Sequence, residues 1–154
     1  MGIVGLVSLG IFLLDTFVKS YLKQNILQQV PLIDHLVYIT VVFNKGAAFG
    51  ILNSHTEFLT LLSVIFIVVL FFLVYQERHG RFSLRVAYGC ILGGALCNLF
   101  DRVVYGYVVD YIDVQVWPVF NLSDSAITLG VLYILYSSLR HRRHEKEVSR
   151  SESS

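Results

Sequence analysis

Two aspartates, Asp110 and Asp124, each lie beside a strongly apolar stretch, in GGALCNLFDRVVYGYVVDYID (93–113) and FNLSDSA (120–126). A carboxylate next to hydrocarbon is costly unless it pairs, coordinates or reacts, so such a residue is a functional-site hypothesis by default. Two carboxylates held close together do not both ionise cheaply, and one keeps a proton. The ionised member can then deprotonate a water while the protonated member polarises a carbonyl, which is acid–base hydrolysis of an acyl bond. The competing structural roles are a helix N-cap for Asp124 and a solvated loop position for Asp110.

Other polar residues surround this pair in sequence. Asp101 follows Asn98 by three residues and precedes Arg102, so on a helix the three share neighbouring faces and suit a hydrogen-bonded structural cluster. Asp113 is expected to face water. Asn44 and Asn121 each follow a phenylalanine; their amides could hold an extended peptide or simply cap a turn or helix. Asp15 and Lys19 have the i,i+4 spacing of a helical ion pair. Gly89, Gly93 and Cys97 recur every four residues, a small-residue stripe for close helix packing. The five histidines are scattered, so no His-rich metal site is expected. Neither a Ser-His-Asp arrangement nor a phosphate loop is evident. Cys90 and Cys97 would be separated by roughly 10 Å of helical rise, too far for a disulfide.

The elements that must position these residues are membrane helices. The chain has 154 residues, room for one domain. It is 55% hydrophobic and only 15% charged, with a mean hydropathy of +0.66. Residues 58–75 run without a charge, about 27 Å as a helix and close to the hydrocarbon thickness. Four spans are predicted, at about residues 2–20, 57–76, 85–102 and 122–140. The first lacks the basic n-region and small-residue cleavage site of a secretory signal, and reads as a retained helix.

Four spans put both termini on one side. Arg78, Arg81, Arg85, Arg140, Arg142, Arg143, Lys146 and Arg150 lie on that side, against Lys19, Lys23, Lys45 and Arg102 on the other. The bias puts the termini in the cytoplasm and both acidic segments at the outer face. Between the spans, residues about 36–52 and 103–117 are rich in β-branched and aromatic residues, with Gly106 as a bend. They predict a small extracytoplasmic β-sheet, or cradle, lining a substrate groove. The polar tail 141–154 is expected to be a disordered cytoplasmic segment. Its basic run is short and without interleaved aromatics, so no nucleic-acid partner is expected. On the residues alone, three readings stay open: a hydrolase, a membrane protein binding cations or protons on its outer carboxylates, and a structural subunit packing through the glycine stripe.

In order along nearly the whole chain, the Asp15–Lys19 pair, FNKGAAFG (43–50), GGALCNLFDR, GYVVDYID (106–113) and FNLSDSAI (120–127) resemble the lipoprotein signal peptidases, or signal peptidase II. The combination is far more specific than any one motif. The resemblance implies a membrane all-α bundle of four transmembrane helices with a small extracytoplasmic β-sheet. It implies an aspartic endopeptidase of the bacterial inner membrane that cleaves diacylglyceryl-modified prolipoproteins before the lipidated cysteine. On this resemblance Asp110 and Asp124 are the catalytic residues, and Asn44, Asn98, Arg102 and Asn121 support the substrate. Asp15, Lys19 and Asp101 stabilise the architecture. It implies no metal or organic cofactor, inhibition by globomycin-type compounds, contact with membrane lipids and a monomer. Two positions depart from the family pattern: Cys97 stands where glycine is usual and Ser123 where alanine is usual. The added bulk of Cys97 is expected to narrow the substrate groove or expose a thiol there.

Overall fold

The computed structural model describes residues 1–46 and 56–152, with side chains described as far as His141. It contains four long helices, α1 (Gly2–Asn25), α2 (Thr56–Gln76), α3 (Phe82–Tyr105) and α4 (Leu122–Glu152). Each has a stretch long and apolar enough to cross a membrane, ending at His141 in α4. A three-stranded antiparallel sheet, β1 (Val30–Ile33), β2 (Val37–Asn44) and β3 (Val108–Asp113), sits at one end of the bundle in the order β1-β2-β3.

Helix α3 is the axis of the molecule, and far more of it is buried than of any other span. Helices in lipid gain little from hiding apolar surface from one another, so their association rests on close van der Waals packing. The glycines of α3 provide it. A Cβ at Gly93 would lie 2.5 Å from the Ser8 carbonyl oxygen of α1, and one at Gly94 2.5 Å from the Ser123 carbonyl oxygen of α4. Val4 of α1, Ile67, Leu70 and Val74 of α2, and Tyr88, Ile91, Leu92 and Ala95 of α3 form the apolar core. The outward residues of α1, α2 and α4, such as Phe17, Phe72 and Leu132, are exposed and apolar, as lipid-facing positions must be.

Several boundaries differ from expectation. Residues 103–105 belong to α3, which ends when Gly106 takes φ +75° and its N–H reaches the Arg102 carbonyl. That left-handed cap is the anticipated bend; only residues 108–113 of the expected 103–117 segment form a strand. The first outer segment is strand over Val37–Asn44, and its remainder from residue 47 lies outside the described residues. Strand β1 has no clear alternation and was not anticipated. The backbone of α4 continues to Glu152 rather than giving way to a disordered tail at 141. Residues 140–152 contain no glycine or proline and include four Arg and three Glu. Extending an existing helix through such residues avoids the cost of nucleating a new one.

The pairing of β2 with β3 changes register once. Tyr38 and Ile39 oppose Asp113 and Ile112, whereas Val42, Phe43 and Asn44 oppose Asp110, Val109 and Val108. Thr40 and Val41 therefore share one partner position, as in a β-bulge. Side chains alternate faces along a strand, so one extra residue moves everything beyond it to the other face. Asn44 thereby comes to the face of Asp110.

The packing predicts opposite outcomes for two glycines. Gly93→Ala should cost about 1–3 kcal/mol through overpacking against α1, lowering the midpoint of unfolding in detergent. Gly10→Ala, with nothing within 4 Å of the added carbon, should leave the midpoint unchanged or raise it. Equal loss at both positions would contradict the close-approach account.

Candidate active site

Asp110 and Asp124 are brought together by a tight return of the chain. After β3, Phe120 forms an isolated bridge with Ile112, donating its N–H to Ile112 and accepting from the N–H groups of Tyr111 and Ile112. Asn121 thus lands beside β3, and α4 starts at the next residue. Asn121 is the N-cap of α4: its Oδ1 accepts from the Asp124 N–H at 2.8 Å, and Asp124 Oδ2 accepts from the Asn121 N–H at 3.2 Å. This is a reciprocal capping arrangement. Asp124 therefore stands in the first turn of the helix, and Asn121 rather than Asp124 is the cap.

The same Asn121 also holds the other acid. Its Nδ2 donates to Asp110 Oδ1 at 2.8 Å, with longer contacts to Asn98 Oδ1 and the Val109 carbonyl. Asn44 Nδ2 donates to Asp110 Oδ2 at 2.8 Å, and Asn98 Nδ2 donates to Asp124 Oδ1 at 2.8 Å. Each carboxylate thus receives two N–H donors, one of them from Asn121 in both cases. Both acids line a pocket of about 190 Å³ with Asn44, Asn98, Arg102 and Phe120. Burial raises the Asp110 carboxyl above its usual range, and the nearby Asp124 charge adds to this. The amides of Asn44 and Asn121 oppose the shift, leaving it at about 6.

Asn44 and Asn121 combine capping with holding the acids. Asn121 is a cap and an Asp110 ligand together; Asn44 accepts from the Gly46 N–H while donating to Asp110. Arg102 bonds the Asn98 carbonyl through a guanidinium nitrogen at 3.3 Å and lines the pocket. Asp101 does not form the expected cluster with Arg102. It joins a buried network behind the pocket, which Asn98 links to Asp124.

That network centres on Lys19, whose Nζ lies 2.9 Å from both Asp15 Oδ2 and Asp101 Oδ2. The ammonium also donates to Asn98 Oδ1 at 3.0 Å. Asn98 Oδ1 is thereby committed as an acceptor, and its Nδ2 is left to donate to Asp124. Asp15 has no exposed surface and accepts from Tyr111 Oη at 2.8 Å and from the Ser123 hydroxyl. Tyr111 Oη in turn accepts from the Leu122 N–H at 3.1 Å. Burial and the Asp15 charge hold the Tyr111 phenol well above its ordinary range.

Cys97 corrects an expectation. It is fully buried on the α1 side of α3, with its thiol 3.5 Å from Asp15 Oδ2 and 3.6 Å from Thr16 Oγ1. It neither lines the pocket nor exposes a thiol, because the stripe it extends packs α3 on α1. Ser123 meets the same Asp15 oxygen, so the two side chains expected to depart from the family pattern converge on one carboxylate. Asp113 is half-buried and accepts from Gln29 and Thr40 rather than simply facing water. Tyr111 and Ser123 are the polar partners that residue types alone did not single out. The alternation of β3 carries the signal for Tyr111: Asp110 faces the pocket, so the next residue must face the bundle.

Four apolar helices, a small sheet at one end and two asparagine-linked acids beneath it define a polytopic membrane protein with a buried carboxylate site. The chain belongs to the signal peptidase II family, whose model, described as Signal peptidase (SPase) II, matches residues 7–140. It is 42% identical over 134 residues to the lipoprotein signal peptidase of Halothermothrix orenii, covering 85% of this chain and 92% of that protein. It is 36% identical to the protein of the same name from Caldicellulosiruptor bescii, covering 91% and 93%. A bacterial membrane enzyme structure obtained by the in meso method at 2.3 Å resolution superposes with a TM-score of 0.87 at 30% identity, covering 96% of this chain and 93% of that one. A second, at 1.9 Å, gives 0.82 at 30% identity, covering 90% and 94%.

Lys19→Met should be strongly destabilising, by about 3–5 kcal/mol, because it strands two buried carboxylates. Adding Asp101→Asn should recover part of that loss. Unfolding of the single and double variants in detergent measures both effects, and a harmless Lys19→Met would refute the central role of the ammonium.

Proposed function

We propose that the chain is an aspartic endopeptidase that removes the signal peptide from diacylglyceryl-modified prolipoproteins, with Asp110 and Asp124 as its catalytic pair. The observation that carries this reading is that two acids from separate elements share Asn121 as a hydrogen-bond donor and open onto one pocket. The relatives named lipoprotein signal peptidase support the choice of substrate. Apolar surface adjoins the pair on two sides. One cavity of about 450 Å³ is lined by Trp117, Phe120, Thr128 and Leu129. A groove of about 250 Å³ runs past Leu62, Phe66, Ala95 and Ile127. Such surfaces suit acyl chains and an apolar signal segment, and would fix the scissile bond by proximity.

In the proposed step the ionised acid of the pair takes a proton from water, whose oxygen attacks the carbonyl carbon before the lipidated cysteine. The protonated acid gives its proton to the carbonyl oxygen. Collapse of the tetrahedral diol breaks the C–N bond, the amine nitrogen takes a proton, and the pair returns to holding one. Asn44, Asn98 and Asn121 position the carboxylates, and Arg102 borders the substrate; no metal or organic cofactor takes part.

The proposed location is the bacterial cytoplasmic membrane, with both termini in the cytoplasm, the pair near the outer face and the chain acting as a monomer. The basic residues of the α2–α3 turn and the tail favour this orientation. The opposing count is weaker than the sequence suggested, because Lys19 is buried in an ion pair rather than lying in a loop. Globomycin-type inhibitors are expected to compete for the same pocket.

Asp110→Asn and Asp124→Asn should each lower cleavage of a diacylglyceryl-modified lipobox peptide by on the order of 10³-fold or more while leaving folded protein. Wild-type turnover by either variant would exclude the pair. Ion-dependent behaviour without cleavage by the unaltered protein would return the acids to cation or proton binding.

The pair should also show its shared proton in the pH dependence of kcat/KM. Loss of that proton sets the alkaline limb, which should fall nearer 6 than the 3.8 of an ordinary aspartate. Removing a donor that favours the charged form raises a carboxyl pKa, so Asn44→Leu should move the limb to higher pH. A limb that stays put or moves down would argue against Asp110 as its source.

A further inference from the structure

We propose that a cavity at the opposite end of the bundle from Asp110 and Asp124 binds the phosphoethanolamine headgroup of a membrane phospholipid. Its volume is about 440 Å³, and its lining includes Glu77, Arg81, Tyr88, Ser137, Ser138 and His141. These residues lie where α2 ends at Gln76, where α3 begins at Phe82 and where the membrane-spanning part of α4 ends at His141. Asp124 and His141 are 17 positions apart, about 26 Å along a helix. The cavity is therefore at headgroup depth on the far leaflet and separate from the peptidase pocket.

Its polar groups are arranged for a zwitterion. Glu77 and Arg81 line the same space, yet among the described residues neither is in a salt bridge with the other or with any third group. Two opposite charges in one cavity, held apart, match a ligand that carries both charges a few ångströms apart. The cationic side is reinforced by the start of α3. Its N-cap residue, Arg81, makes no side-chain capping bond, and its first turn contains no acid. The free N–H groups and the positive end of the helix dipole thus favour an anion there. The Ser137 and Ser138 hydroxyls add neutral donors. A phosphate fits beside Arg81 and the α3 N-terminus, and an ammonium beside Glu77. A purely anionic headgroup would leave Glu77 opposing it, and a trimethylammonium offers no N–H to that carboxylate.

The test is native mass spectrometry of the full chain released from nanodiscs of phosphatidylethanolamine, phosphatidylglycerol and phosphatidylcholine in equal amounts with matched acyl chains. The wild type should retain one phosphatidylethanolamine, enriched roughly tenfold over either competitor, as one charge-assisted contact would give. Arg81→Gln should lose the bound phospholipid, while Glu77→Gln should keep a phospholipid and lose the preference among headgroups. Both variants should cleave substrate in detergent as the wild type does, which shows that they are folded. If Arg81→Gln does not fold, the double variant Ser137→Ala with Ser138→Ala keeps every charge and should still weaken retention. Equal retention of the three lipids, preference for phosphatidylglycerol, or a Glu77→Gln variant that selects like the wild type would overturn the proposal.

Discussion

The structure depends on one buried ammonium. Lys19 lies between Asp15 on its own helix and Asp101 on α3, with almost no exposure to solvent. Burying a charge is tolerable only where hydrogen-bonded partners surround it, and a buried pair that loses one partner is worse than no pair at all. Here the arrangement also has a direction. The ammonium takes the oxygen of Asn98, turning the amide nitrogen towards Asp124. A contact on α1 thus sets the donor seen by an acid on α4.

The carboxylates differ from one another through the elements that carry them. Asp110 comes from a strand and Asp124 from the first turn of a helix, and Asn121 joins them because Phe120 returns to pair with Ile112. A rigid cap, a strand and a central helix each contribute one side of the site. In the proposed hydrolysis, preorganised donors of this kind would not have to reorient as charge moves between the acids. Tyr111 and Ser123 brace the back of the same assembly by holding Asp15.

Much of this was legible in the chain. The four spans follow from apolar runs bounded by charge, and the i,i+4 spacing of Asp15 and Lys19 pointed to their pairing. What stayed hidden depends on contacts between segments remote in sequence. Cys97 looked like a groove residue because it precedes Asn98, but neighbours on a helix point about 100° apart, and its stripe faces α1. Asp101 sits next to Arg102 in sequence and pairs instead with a lysine 82 positions away. Strand β1 is short and without alternation, and only its pairing with β2 defines it.

The register change in β2 gives the sheet a role beyond roofing the bundle. Thr40 and Val41 together oppose a single position of β3, and this places Asn44 on the face of Asp110. Remove one residue between 39 and 42 and every side chain from there to Asn44 changes face, although all the residue types nearby survive. The polar lining of the pocket is therefore encoded partly as a count. In this stretch a change of length is a change of chemistry, and an insertion or deletion there carries the weight elsewhere reserved for replacing an acid.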